Sequence, residues 1–204
     1  LVQERNPLLA AAIPHIGHFQ IRNRGTIGGS IAHADPAAEL PALSVALEAE
    51  ITLERSGNQR VVRSDDLLLG DYTTDVGSTE LLAEIRFPPW SPGWSWGFDE
   101  ICRRKGDFAL VGSVVMIKVD DNQACLDSRI VLFGVGEAPM RMRKAEAVLI
   151  GGSVDDRKLQ EIGRLVSEEV TPDSDVHASA EYRTEVSGVL AWRALKMALA
   201  RSRN

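Results

Sequence analysis

Apolar positions along the chain recur at two spacings. Residues 49–54 (AEITLE) alternate apolar and polar side chains, the period of a half-buried strand, and VVR at 61–63 predicts a partner strand across SGNQ. LLAEIRF at 81–87 predicts another strand, stopped by Pro88 and Pro89. Two longer runs, LVGSVVMIKV at 110–119 and LDSRIVLFGV at 126–135, predict a strand pair joined by the polar turn DDNQA. Helical spacing appears elsewhere. Residues 7–21 (PLLAAAIPHIGHFQI) predict a helix that Pro14 and Gly17 end before a glycine-rich segment. Asp35-Pro36 predicts a helix N-cap followed by a first-turn proline, and Pro41 restarts or kinks the run ALSVAL. Residues 144–150 predict a short helix ending at Gly151-Gly152. Ser153 and Asp156 then predict a capping box for a helix with Leu159, Ile162 and Val166 on one face. A last helix from about Ala180 carries a predicted stripe of Val186, Val189, Leu190 and Met197.

The layout is a front loop-and-strand unit, a β-rich middle and an α+β tail, without repeats or low-complexity tracts. Composition narrows the function classes. At 204 residues and 44% hydrophobic content the chain can build its core without covalent staples. A net charge of −6, spread without any long acidic block, argues against nucleic acid as a partner. Cys102 and Cys125 form neither a CxxC pair nor a zinc pattern, so no metal ligands are expected and a reducing, cytoplasmic compartment is. No apolar run approaches the ~20 residues of a membrane span. The chain opens on Leu1 rather than Met, which predicts a piece of a longer polypeptide. Trp90, Trp94 and Trp96 crowd into PPWSPGWSWG; exposed tryptophan suits an interface, so part of this loop is expected to meet another subunit.

The stretch RNRGTIGGSIAHADPAAELPA, Arg22 to Ala42, carries the candidate chemistry. Gly28-Gly29 can adopt backbone angles closed to other residues, letting successive N–H groups converge on an anion, with Thr26 and Ser30 hydroxyls at the rim. Phosphate binding and a plain structural turn both fit such a pair. GTIGGSIAH lacks the lysine of a P-loop and the GxGxxG spacing after a strand, which argues against ATP-type and NAD-type sites.

IRNRGTIGGSIAHADPAAELPA closely resembles the second flavin-binding motif in the FAD-carrying medium subunits of molybdenum hydroxylases, a family that includes carbon monoxide dehydrogenase and the flavin domain of xanthine dehydrogenase. RRKGDFALVG (103–112), GVGEAPMRMRKAEAVLIGG and SAEYRTEVSGVLAWRALKMAL (179–199) match other parts of the same family in order. The resemblance implies an α+β architecture. Residues 1–99 would be the second α/β subdomain of a vanillyl-alcohol-oxidase/MurB-like FAD-binding fold with a mainly antiparallel sheet. Residues 100–204 would be a small C-terminal α+β domain with a three-stranded antiparallel sheet and helices. The first FAD-binding subdomain of the family has no counterpart in residues 1–21, so the N-terminal part of the same subunit is an expected partner.

Carried over by position, Thr26, Ile27, Gly28, Gly29 and Ser30 would cradle the FAD diphosphate and adjoining adenosine. Glu39 would contact the ribityl or pyrophosphate region, its alternative being a helical surface carboxylate. Leu82 would pack against the isoalloxazine ring or simply belong to the core. Arg103, Arg104 and Lys105 would lie near the flavin and the iron–sulfur partner, or form a solvated turn. His33 reads as structural. Family members carry a lysine near the flavin at the positions matching Asp99 or Glu100, and neither is basic here. The resemblance further implies an electron-transfer oxidoreductase subunit with no catalytic residue of its own. Its partners would be a small [2Fe-2S] subunit and a large molybdenum–pterin subunit in a dimer of heterotrimers. A standalone flavin oxidoreductase and a cofactor-free assembly fragment are the alternatives.

Overall fold

The computed structural model describes residues 2–203; Leu1, which prompted the expectation of a longer parent chain, lies outside them. The chain starts with α1 (Val2–Arg5) and α2 (Pro7–Ala12), where Asn6 Oδ1 accepts the Leu9 N–H at 3.0 Å and Pro7 occupies the first turn. The segment 7–21 is not one helix. It breaks into α2, a 3-10 turn η1 (Ile13–His15) around Pro14, and α3 (Phe19–Arg22), with Gly17 at φ +53° between the last two. Then come α4 (Ile27–His33), α5 (Glu39–Ala46), β1 (Glu50–Arg55), β2 (Asn58–Arg63), α6 (Ser64–Leu67), β3 (Leu68–Gly70), β4 (Thr73–Thr74) and β5 (Leu81–Arg86). β2, β1 and β5 form an antiparallel sheet in that order. The hairpin turn between β1 and β2 is tighter than the sequence predicts, with Ser56 and Gly57 both at positive φ. Ile51 and Leu53 on the inner face of β1 are fully buried, and all eight residues of α5 are buried beside them.

The second half contains β6 (Trp94–Cys102), β7 (Ala109–Val119), β8 (Cys125–Phe133) and the two-residue β9 (Met140–Arg141), antiparallel in chain order. Three long strands match the expected sheet, and β9 adds a fourth at its edge. α7 (Arg143–Leu149), α8 (Asp156–Glu169) and α9 (Ala180–Ser202) follow. This sheet is the middle layer. Val111, Val115, Ile117, Ile130 and Leu132 face the tail helices, while Val114, Met116, Val131 and Phe133 pack with Leu43, Ile51 and other residues of the front half. Both faces are covered, so β7 and β8 read as nearly continuous apolar runs rather than alternating ones. The division between residues 99 and 100 falls inside β6.

Three local expectations are corrected. Asp35 caps no helix: its Oδ1 accepts the Ala37 N–H at 2.9 Å in a turn, and α5 starts four residues later behind Ala38. Asp155, not Ser153, caps α8, accepting from Lys158 N at 2.8 Å. The inner face of α9 is Leu190, Ala191, Ala194, Leu195, Ala198 and Leu199; Val189 is exposed. The tryptophans of residues 90–96 also have partners within this chain. Trp90, Trp94 and Trp96 are partly buried against the front core. The Arg129 guanidinium lies 4.9 Å from the Trp94 ring centre and that of Arg201 lies 3.7 Å from the Trp96 ring.

Candidate functional site

The glycine-rich stretch does not form a loop with unusual angles. Gly28 and Gly29 lie within the first turn of α4, and neither has positive φ. Two glycines would ordinarily weaken a helix by about 1 kcal/mol each relative to alanine. Local and tertiary contacts offset this. Thr26 Oγ1 accepts the Gly29 N–H at 2.9 Å, Ile31 is fully buried, and Ala34 at φ +50° closes the helix in left-handed geometry. The anion-binding logic survives in another form. Amides in the first turn of a helix have no intrahelical acceptor, and the cap hydroxyl takes only that of Gly29. Residues 24–27 and Gly29 are exposed, so the Ile27 and Gly28 amides are presented at an open surface.

The glycines matter for space. A Cβ on Gly29 would sit 2.8 Å from Thr26 Oγ1, against the capping hydroxyl. A Cβ on Gly28 would lie 3.7 Å from Leu82 Cδ2 and 4.0 Å from Ile85 Cδ1, so β5 backs the start of α4 at van der Waals range. The structure therefore brings Thr26, Ile27, Gly28, Gly29 and Ser30 together with Leu82. Two adjacent positions without side chains, exposed first-turn backbone and an apolar residue behind it are compatible with the diphosphate and ring of a dinucleotide flavin.

Glu39 sits at the first position of α5 and is only 3% exposed, so it is not a surface carboxylate. Burial pushes its carboxyl up to about 7, with Glu100 and Asp35 adding to the effect while its own backbone N–H and His15 oppose it. Glu100, on β6, is likewise pushed up to about 7 by burial and by the neighbouring Asp99 charge. Its Oε1 is 3.0 Å from His15 Nδ1. Sequence reasoning marked Glu100 only as an acid where relatives have a base; the pairing with His15, 85 residues away, carries no local signal. Asp99 pairs instead with Arg193 of α9 at 2.9 Å.

A cavity of about 510 Å³ opens beside these elements, lined among others by Asp35, Tyr72, Arg103, Phe108, Asp175 and Arg183. Tyr72 Oη donates to Asp35 Oδ2 at 3.4 Å. Arg103, Arg104 and Lys105 form an exposed turn closed by the Asp107 N–H donating to Arg104 O, and Arg103 reaches His177 at 2.8 Å. Arg183, in the EYR stretch, was not singled out by the sequence. It donates to the carbonyls of Leu110 and Gly134 and to Asp175 Oδ2.

Family comparisons match this layout. Residues 1–90 match the model of the FAD binding domain in molybdopterin dehydrogenase, and residues 96–198 match that of the CO dehydrogenase flavoprotein C-terminal domain. The chain belongs to this flavoprotein family. It is 36% identical to the carbon monoxide dehydrogenase medium chain of Hydrogenophaga pseudoflava, over 98% of this chain and 70% of that one. It is 35% identical to subunit alpha of the 6-hydroxypseudooxynicotine dehydrogenase complex of Paenarthrobacter nicotinovorans, over 99% and 68% of the two chains. Among solved structures, carbon monoxide dehydrogenase from H. pseudoflava superposes with a TM-score of 0.94, at 38% identity, over 98% of this chain and 69% of that one. Quinoline 2-oxidoreductase from Pseudomonas putida 86 gives 0.93 at 33%, covering 100% and 70%. This family member is thus a flavoprotein part of an oxidoreductase, with the mixed α+β architecture and antiparallel sheets of its relatives. No helix among the described residues is long and apolar enough to cross a membrane.

Proposed function

We propose that this chain is the FAD-holding, electron-transferring part of a cytoplasmic three-subunit molybdenum hydroxylase. Its partners would be a small subunit with [2Fe-2S] clusters, which delivers electrons, and a large molybdenum–pterin subunit, where substrate is hydroxylated. Two such heterotrimers would pair. Residues 1–99 supply the cofactor-binding half and residues 100–204 the platform behind it. The observation that carries the reading is the exposed first turn of α4, with glycine at two successive positions and Leu82 behind it, in a chain of this flavoprotein family.

FAD, when bound, supplies the redox chemistry that passes electrons to an external acceptor; the protein binds, orients and electrically tunes it. The Ile27 and Gly28 amides would hold the diphosphate, with Thr26 and Ser30 hydroxyls beside them. Leu82 would exclude water from the ring, and Glu39 would face the ribityl side. No side chain here is assigned a catalytic role.

Gly29→Val tests the reading. Its branched side chain would displace the Thr26 cap and cover the amides, so the assembled complex should retain FAD about 10- to 100-fold less tightly, a loss of roughly 1.4–2.7 kcal/mol. The measurement is flavin absorbance per complex after dialysis, read beside the iron–sulfur absorbance. Undiminished flavin with an intact α4 would refute the assignment. Flavin without iron–sulfur bands in the native assembly would refute the three-subunit role.

A further inference from the structure

Residues 71–80 join the two sides of the candidate cofactor site. At one end the Tyr72 N–H donates at 3.1 Å to the carbonyl of Ala34, the residue that closes α4. At the other end Glu80 leads into β5, whose Leu82 stands behind Gly28. Between them the Asp75 N–H donates to Leu67 O at 2.9 Å, and Val76 packs on the front core. Only two paired positions hold the start of β5. The register with β1 slips between Thr52 and Leu53, leaving Leu53 opposite Leu82 and Glu54 opposite Leu81 beyond the irregularity. Arg60 of β2 adds to that hold. It lies opposite Leu53, so Arg60, Leu53 and Leu82 share one rung and one face of the sheet. Its guanidinium forks onto Glu80, Nε donating to Oε1 at 2.8 Å and Nη2 to Oε2 at 2.7 Å. It also reaches Asp75, Nη1 donating to Oδ2 at 2.6 Å and Nη2 to the carbonyl at 2.5 Å. Glu80 Oε2 further accepts the Gly77 N–H at 2.8 Å. Arg60 and the Gly77 amide hold the Glu80 carboxyl down at about 2, so the fork stays charged throughout the neutral range.

We propose that Arg60 is a positioning residue for the flavin: by clasping Glu80 and Asp75 it sets where Leu82 stands against α4, an inference that rests on the flavin reading of those two elements. Arg60 acts through its neighbours, not on the cofactor. Arg60 and Asp75 are both half-exposed, so their ion pair adds little to global stability. The value of the arrangement lies in its geometry. Four donor contacts to two points of one loop fix the path of the chain from Ala34 to Leu82. A binding site needs its walls held within about 0.5 Å of the productive position, and supporting contacts of this kind hold them there. Lysine would keep the charge at residue 60 but could not serve the same fork of acceptors.

The test uses the complete oxidoreductase complex with its full-length flavoprotein subunit. Arg60→Ala is expected to release FAD about 10-fold faster and to alter the visible circular dichroism of the bound flavin, which reports the walls around the ring. Arg63→Ala is the control. Arg63 lies on the same strand, and its ion pairs with Asp65 and Glu48 fall outside residues 71–80, so its loss should leave the flavin spectrum and release rate unchanged. Leu82→Ala should alter the same spectrum. The double variant Arg60→Ala, Leu82→Ala should release FAD no faster than Leu82→Ala alone, because the two residues act in series. Arg60→Lys should fall between the native complex and Arg60→Ala, and it covers the case in which the alanine variant assembles poorly. An Arg60→Ala flavin indistinguishable from that of Arg63→Ala, or release rates that multiply in the double variant, overturns the proposal and leaves the flavin reading intact. A Leu82→Ala complex with unaltered flavin overturns the flavin reading itself, and the proposal with it.

Discussion

Gly97→Ala is expected to destabilise the protein by about 4 kcal/mol or more, the largest effect of any single methyl group proposed here. Gly97 is buried in the middle of β6, opposite Val115 of β7. A Cβ there would lie 1.9 Å from the carbonyl oxygen of Ala194, 2.6 Å from its carbonyl carbon and 2.9 Å from its Cα. All three are backbone atoms in the interior of α9, so no rotamer change relieves the overlap. The whole helix would have to lift. Lifting α9 would open the packing of Ala191, Ala194, Leu195 and Ala198, and would strain the Arg193–Asp99 pair and the bond from Arg201 to the Trp96 carbonyl. Urea unfolding of the purified protein measures the effect. Gly152→Ala is the control: an added Cβ would meet nothing nearer than Leu149 O at 3.8 Å, and its change should stay within ±0.5 kcal/mol. A Gly97→Ala midpoint equal to that of the control would refute the close packing of β6 on α9.

The sequence made some features legible and hid others for identifiable reasons. β1, β5, β7 and β8 were readable because each is an alternating or continuous apolar segment with turn residues at one or both ends, and their observed ends differ by at most two residues. α9 was legible as a helix but not in its orientation. Val189 looks like a core residue and Ala194 does not, yet the close approach to Gly97 demands the small side chain on the inner face. α4 was missed because seven residues with two glycines have little helical preference; Thr26, Ala34 and the burial of Ile31 hold it. Its place in the flavin reading was reached through resemblance, whereas the physical reason for it appears only once β5 is seen behind it. The Glu100–His15 pairing could not be read locally at all, because two elements far apart in the chain create it.

Arg183→Ala is expected to cost about 3 kcal/mol, with a distinctive acid signature. Arg183 is 7% exposed and joins three segments around the large cavity. One guanidinium nitrogen donates to Leu110 O on β7 and to Gly134 O just past β8, and another donates to Asp175 Oδ2 at 2.7 Å before α9. Truncation leaves two interior carbonyls without this donor and frees the segment 172–178 from the sheet. Arg183→Lys should recover only part of the loss, since an ammonium cannot serve the same fork of acceptors. Asp175 supplies the pH readout. Partial burial acts to raise its carboxyl, but the Ala178 and His177 amides and the Arg183 guanidinium outweigh this and hold it down at about 2. A carboxyl depressed in the folded state adds stability above its unfolded range, and that stability is lost as pH falls through the folded value. The native melting temperature should therefore drop between about pH 4 and pH 2, and the Arg183→Ala curve should be shallower there. Asp175 is half exposed and keeps its two amide donors, so only part of the slope belongs to the arginine. Parallel curves for the two proteins, displaced but equally steep, would mean that Arg183 stabilises through its carbonyl contacts alone and that its pairing with Asp175 contributes nothing in solution.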